Sequence, residues 1–254
     1  MRRLYRIEHE GRPRYAAERE GRWRLVDGDI FGRFDEGPEI PSEGLTLLAP
    51  VQPSKIVCVG LNYRDHAIEQ GKPLPEEPLI FIKPSTAVIG PGAAIEVPAW
   101  AGRVDHEAEM GIVIGKRAFG VPMSRAAEYV LGLIAVNDVT ARELQAKDGQ
   151  YTRAKGFDTF APIGPAIAVG LDGSDLQVRG YVNGQMRQDS RTRELIFTIP
   201  EMVQFVSSVM TLLPGDVIST GTPSGVGPIR PGDQVTVHVE GVGALSNPVV
   251  ARSH

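Results

Sequence analysis

DHEAEMGIVIG, residues 105–115, is the stretch on which the fold turns. In a strand successive side chains alternate, so Glu107, Glu109, Gly111 and Val113 share one face and Ala108, Met110, Ile112 and Ile114 share the other. The second face is apolar and reads as core, with His106 on that side as packing or support rather than as a ligand. The first face carries two carboxylates about 7 Å apart by strand rise. Unpaired, they repel each other, and a hard cation between them removes that cost. A solvated edge strand shows the same Glu-x-Glu pattern, so the pair needs a third group to become a site.

LGLIAVND, residues 131–138, offers one. Its apolar run ends in Asn137-Asp138, where a helix begins. Asp138 could cap that helix. Thr140 and Glu143 nevertheless spell a Thr-x-x-Glu capping box two residues later, which leaves Asp138 free for a site mouth. Three carboxylates with water suit Mg²⁺ or Mn²⁺ and not Zn²⁺, since no Cys or His joins them at ligand spacing.

Around these segments lie many short β-branched runs bounded by Gly or Pro: KIVCVG, PLIFIKP, GPAIAVG, VRGYVNG, DVISTG and DQVTVHVEG. Helical candidates are few, namely Tyr63–Gln70, Ser124–Tyr129, Thr140–Lys147 and Pro200–Met210, the last with an apolar stripe at Met202, Val203, Phe205, Val206, Val209 and Met210. The pattern predicts a β-rich α+β protein without regular βαβ alternation. Residues 1–50 differ: charged, glycine-punctuated and hairpin-like, they hold nine arginines interleaved with acids. They read as a small amino-terminal β appendage, joined through Pro50 and Pro53 to a domain spanning 51–254.

Three further motifs bear on chemistry. In GLNYRDHAIEQGK, residues 60–72, Asn62 and Asp65 could open a short helix that Gly71 closes. His66 and Glu69 then share one face at i and i+3, as a general base and its orienting carboxylate do, and as surface pairs also do. STGTPSGVGP, residues 219–228, lacks the Gly-Lys-Ser/Thr ending of a phosphate loop. Its expected use is backbone donors, with the Thr222 hydroxyl turned toward a carboxylate. Lys155 precedes an apolar stretch (Phe157, Phe160, Ala161, Ile163), which draws an otherwise ordinary surface lysine toward the core.

The whole chain of 254 residues carries 27 basic and 31 acidic side chains, so no global charge favours nucleic acid or an anionic membrane. No apolar run approaches the roughly 20 residues of a membrane span, and no apolar segment follows the basic start as in a signal peptide. Cys58 is the single cysteine and sits in an apolar run, as a buried thiol does. A soluble cytoplasmic protein is expected.

Taken in order, NYRDHAIEQG, KPSTAVIGPG, DHEAEMGIVIG, VNDVTARELQ, KGFDTFAPIGP, VNGQMRQDS and PGDVISTGTPSGVGP resemble the fumarylacetoacetate hydrolase family, over roughly residues 53–250. The resemblance implies a mixed β-roll or sandwich, a homodimer, and a site for Mg²⁺, Mn²⁺ or Ca²⁺ held by Glu107, Glu109 and Asp138. It implies catalytic roles for His66, Glu69 and Lys155, and substrate contacts from Arg142, Gln145 and Thr222. The segment holding His66 and Glu69 would act as a lid. Long members of the family add a fourth acid seven residues before the histidine; here that position is Val59. The chain therefore resembles the short members, which act on 2-oxo or 2-hydroxy-dienoic acids through a metal-bound enolate. The expected reaction is C–C cleavage by acylpyruvate-type hydrolysis or decarboxylation. The alternative is 2-hydroxyhepta-2,4-diene-1,7-dioate isomerisation, or the decarboxylation of 5-oxopent-3-ene-1,2,5-tricarboxylate, in aromatic catabolism.

Overall fold

A computed structural model describes residues 1–253 of the chain. Twelve strands form one large, mostly antiparallel sheet. Along it run Phe34–Ile40, Arg22–Gly28, Arg12–Arg19, Arg2–His9, Ala161–Val169, Val130–Asn137, Ala108–Ile114, Val217–Ser219, Lys55–Gly60 and Leu79–Pro84, with Thr46–Leu48 and Val88–Ile89 pairing off that path. A five-stranded sheet (Gln185–Arg191, Gln177–Val182, Gln234–Val239, Gly243–Ala251, Ile95–Val97) and a three-stranded one (Thr140–Ala141, Val104–His106, Gly227–Ile229) complete the β-rich fold. Among the described residues no helix is long and apolar enough to cross a membrane.

Strand Ala108–Ile114 is buried on both faces, and its alternation sorts residues between two cores. Ala108, Met110, Ile112 and Ile114 pack with Val178, Val237 and Leu245 of the five-stranded sheet and with Met202, Val203 and Val206 of helix Ile199–Val209. Val113 joins the opposite core with Ile134, Val136, Ile163 and Val217. That second core also takes in Leu4, Ala17 and Val26 from the amino-terminal strands together with Ile56 and Cys58, so the long sheet rolls upon itself. Gly111 permits the close packing here, because a Cβ would come within 2.6 Å of Val136.

The amino-terminal hairpins turn through Glu10-Gly11 and Glu20-Gly21, both residues of each pair at positive φ, as two-residue hairpins matched to strand twist require. They form the small amino-terminal β region that the sequence pattern suggests, joined to the rest by strand pairing. Arg2–His9 pairs antiparallel with Ala161–Val169 and so extends the main sheet.

Local expectations need correction at the helix starts. Helix Arg64–Glu69 has no side-chain cap; the Asn62 amide instead donates to the carbonyls of Phe197 and Thr220 and accepts the Phe197 N–H. The Thr140–Glu143 capping box does not form. Thr140 and Ala141 are a strand, the helix runs Arg142–Asp148, and the Thr140 hydroxyl donates to the Asp138 carbonyl. At Asn62 distant carbonyls take the amide, and at Thr140 strand pairing with Asp105 replaces the helix start. Met123–Tyr129 forms a 3₁₀ helix rather than an α-helix, and Thr152–Lys155 adds a short helix the periodicity did not show. Helix Ile199–Val209 starts where Glu201 accepts hydrogen bonds from the Thr198 N–H and hydroxyl.

Candidate active site

Residues 104–109 do not form one uninterrupted strand. Val104–His106 belongs to the small sheet, Ala108–Ile114 to the large one, and Glu107 stands at the switch between them. Its backbone is pinned there: Glu107 N donates to Asn137 Oδ1 at 3.0 Å, and Asp138 N donates to the Glu107 carbonyl at 2.9 Å. The antiparallel register, Ala108 opposite Asn137 and Glu109 opposite Val136, brings residue 138 alongside residue 107. Carboxylate oxygens of Glu107, Glu109 and Asp138 all lie within 4.8 Å of one another, and all three residues are buried.

Three cations meet them. Lys155 Nζ donates to Glu107 Oε2 at 2.8 Å and to Asp138 Oδ2 at 2.5 Å. Lys83, fully buried, donates to Asp138 Oδ1 at 2.6 Å and to the Val139 carbonyl at 3.1 Å. Arg142 bonds Glu107 through Nη2, Asp105 through Nε at 2.8 Å and Gln145 through Nη1 at 2.9 Å. Burial pushes the Glu107 carboxyl up, but the Lys155 ammonium and the Arg142 guanidinium outweigh it and hold the group well below the usual range. Glu109 goes the other way, up to about 8, because burial and the charges of Asp138 and Glu107 outweigh Lys155 and the Ser219 hydroxyl. Burial alone would depress the Lys155 ammonium; Asp138 and Glu107 reverse that and hold it above the ordinary lysine value.

The donor set fits a hard divalent ion. All three ligand candidates are carboxylates, their oxygens converge, and they line a cavity of about 590 Å³. Burial and the charges of Asp138 and Glu107 disfavour the ionised form of Glu109, and a divalent ion at the cluster would favour it.

The same cavity is also lined by His66 and by Val59, the position where the sequence pattern lacked an acid. His66 Nδ1 lies 2.8 Å from Glu69 Oε2. A carboxylate only accepts, so Nδ1 carries the proton and Nε2 presents its lone pair. Glu69 is oriented in turn by Gly225 N, which donates to its Oε1 at 3.0 Å. The glycine-rich loop thus does supply backbone donors, but to the protein's own acids: Gly221 N and the Ser219 hydroxyl both bond Glu109 Oε2, at 2.9 and 2.5 Å. Gly225 has φ +93°, and a Cβ there would lie 2.0 Å from the Arg187 carbonyl, which leaves only glycine.

Arg142, Gln145, Lys155 and Thr222 line the cavity with the acids and His66. Thr222 is not free to meet a ligand carboxylate as the sequence suggested. Its hydroxyl donates to the Ala108 carbonyl at 2.9 Å and accepts from Gln188 Nε2 at 2.8 Å. Sequence reading missed Lys83, Asp105, Gln188 and Gln70. Lys83 had a signal, a lone ammonium ending the apolar strand of PLIFIKP. His106 is buried, and among the described residues neither ring nitrogen has a hydrogen-bond partner.

Comparison with known proteins gives two family matches: the fumarylacetoacetate (FAA) hydrolase C-terminal model over residues 55–250, and an Rv2993c-like N-terminal model over residues 2–50. The structure is similar to 2-hydroxyhepta-2,4-diene-1,7-dioate isomerase from Mycobacterium marinum, with TM-score 0.93, 43% identity and 100% of both chains covered. It is also similar to the maleylpyruvate hydrolase of Sphingobium sp. SYK-6, solved with manganese(II) and pyruvate, with TM-score 0.82, 28% identity, 99% of this chain and 100% of that one. In sequence it is 41% identical to oxaloacetate tautomerase fahd2 of Xenopus laevis, over 81% of this chain and 69% of that protein.

Proposed function

The chain belongs to the fumarylacetoacetate hydrolase family and is one of its enzymes, and from that premise we propose that it uses Mg²⁺ to act on a small 2-oxo acid, cleaving a C–C bond by acylpyruvate-type hydrolysis or by decarboxylation. The observation that carries this reading is that one cavity is lined both by the Glu107–Glu109–Asp138 cluster and by His66, whose ring is held by Glu69. When bound, a divalent cation supplies Lewis acidity toward the 1-carboxylate and 2-oxo oxygens of such a substrate.

The chain's own groups do the rest. Arg142 and Gln145, at the cavity wall, hold the substrate carboxylate. Lys155 Nζ, beside Glu107 and Asp138, stabilises negative charge as it develops on the C2 oxygen. In hydrolysis His66 Nε2 takes a proton from water, whose oxygen attacks the C4 carbonyl; the C3–C4 electron pair passes toward the C2 oxygen, and C3 is then protonated. In decarboxylation C4 leaves as CO₂, and the same charge forms without water attack. Phe81, stacked edge-on with Tyr151 at 5.2 Å, and Leu79 give the cavity an apolar side that limits water.

A second reading, proton transfer without C–C cleavage, has its own support. The relatives at 41% and 43% identity are named as a tautomerase and an isomerase, whereas solved structures named as hydrolases stand at 28% and 33%. Assay of the Mg²⁺-loaded protein with acetylpyruvate, oxaloacetate and 2-hydroxyhepta-2,4-dienedioate separates them, with enol absorbance and pyruvate release followed together. Pyruvate release establishes cleavage; loss of enol signal without it establishes proton transfer; silence on all three substrates with metal bound overturns both. For hydrolysis, His66→Ala is expected to cut kcat by about 100-fold or more and to leave decarboxylation within a few-fold. Equal losses in the two reactions would remove His66 from water activation.

A further inference from the structure

The lone pair that the mechanism needs is already taken. With the proton of His66 on Nδ1, facing Glu69, Nε2 is an acceptor, and the side-chain amide nitrogen of Gln70 lies 2.6 Å from it. Gln70 therefore donates an N–H to the very atom that must receive a proton from water.

The rest of the geometry makes this contact easy to break. His66 is buried, while Gln70 is exposed and closes the carboxyl end of helix Arg64–Glu69. Its backbone N–H bonds the His66 carbonyl, which fixes the main chain and leaves the side chain to turn about its own bonds. Among the described residues the amide makes no other hydrogen bond. Gln70 also lines the same cavity as the acid cluster.

We propose that Gln70 masks the His66 base while the cavity holds no ligand, and that a seated substrate displaces the amide, which then hydrogen-bonds the substrate's distal oxygen. Masking needs only the structure. Recognition of the distal oxygen rests on the 2-oxo acid reading: with the 1-carboxylate and C2 oxygen at the acid cluster, the C4 end points to the His66 wall. An amide there offers N–H donors to an oxygen at C4, so Gln70 selects substrates that carry oxygen at C4 over those with a plain alkyl tail.

Two measurements test the two halves separately. The first is the nitrogen-15 NMR shift of the His66 ring in ligand-free protein, assigned by comparison with His66→Ala. Replacement by Gln70→Leu, one atom shorter and without a donor, is expected to move the Nε2 resonance toward that of a free imidazole lone pair. Gln70→Met guards against a packing effect peculiar to leucine and is expected to do the same. An Nε2 resonance unchanged in both variants overturns the mask. The second compares 2,4-dioxopentanoate as substrate with 2-oxopentanoate, which lacks only the C4 oxygen, as competitive inhibitor. Because the variant also removes the contact that every ligand must displace, the informative quantity is the preference for the former over the latter, which Gln70→Leu is expected to cut about tenfold, the loss of one hydrogen bond. Parallel changes in both constants, or none, overturn the recognition half. If wild-type protein neither turns over nor binds either compound, the 2-oxo acid reading and the recognition half fall together, and the ring resonance still decides the mask.

Discussion

Glu107, Glu109 and Asp138 bear the same functional group in three electrostatic settings. Two cations depress the pKa of Glu107, burial and acidic neighbours raise that of Glu109, and two lysines bracket Asp138. The acids were legible in the sequence because carboxylates at i and i+2 of an apolar strand, with a third ending another strand, are a chemical anomaly. Their lysine partners were less so, since one lysine looks like another until its surroundings are known. Lys83 is the sharper case, with no exposure and no partner besides Asp138 and a carbonyl. Lys83→Met strips one cation from a buried carboxylate and is expected to destabilise the metal-free protein by about 3–5 kcal/mol. Urea unfolding measures this, and Mn²⁺ is expected to recover part of the loss by pairing with the carboxylate again. Unfolding curves that coincide with wild type would show that Asp138 does not depend on Lys83.

At the level of elements, what matters is which backbone donors are spent on which acids. The loop after strand Val217–Ser219 serves Glu109 and Glu69 alike, so it links the acid cluster to the His66 pair. Its glycines announced tight backbone, but not its recipients. The failure of the Thr140–Glu143 box is instructive too: Glu143 accepts from Arg103 N, a partner from another segment. A structural counterpart sits at the strand starts, where Asp216 accepts from Ser54 N and Oγ, Lys55 Nζ and Leu213 N. Burial raises its pKa, but Lys55, the Leu213 N–H and Ser54 prevail and set it below the ordinary 3.8. A carboxyl whose folded value is depressed contributes stability that is present above its unfolded value and disappears as pH falls through the folded one. Asp216→Asn is therefore expected to flatten the stability curve below about pH 4 and to cost about 2 kcal/mol near neutrality. Urea midpoints measured across acid pH check this; an unchanged acid limb would mean that other carboxyls set it.

The molecule as a whole is a rolled sheet in which the amino-terminal hairpins complete a core begun by strands far along the chain. Leu4, Ala17 and Val26 meet Ile56, Val113 and Val217 in one cluster. Removal of residues 1–50 uncovers that cluster and the edge of Ala161–Val169. The truncated chain is expected to melt about 10 °C lower or more and to aggregate through the exposed strand. Melting unchanged from full length would show that the two regions fold separately. By itself the sequence determined the β-rich class, the core-facing side of residues 108–114 and the identity of the acids and the His–Glu pair, because alternation and functional groups are properties of a local stretch. Only the tertiary structure decided that residue 138 stands beside residue 107, that Lys83 and Lys155 meet on Asp138, that the Thr222 hydroxyl turns inward, and that the Gln70 amide meets the His66 ring. Those outcomes depend on strand register and on competition among distant hydrogen-bond partners, and no period in a linear chain encodes which partner prevails.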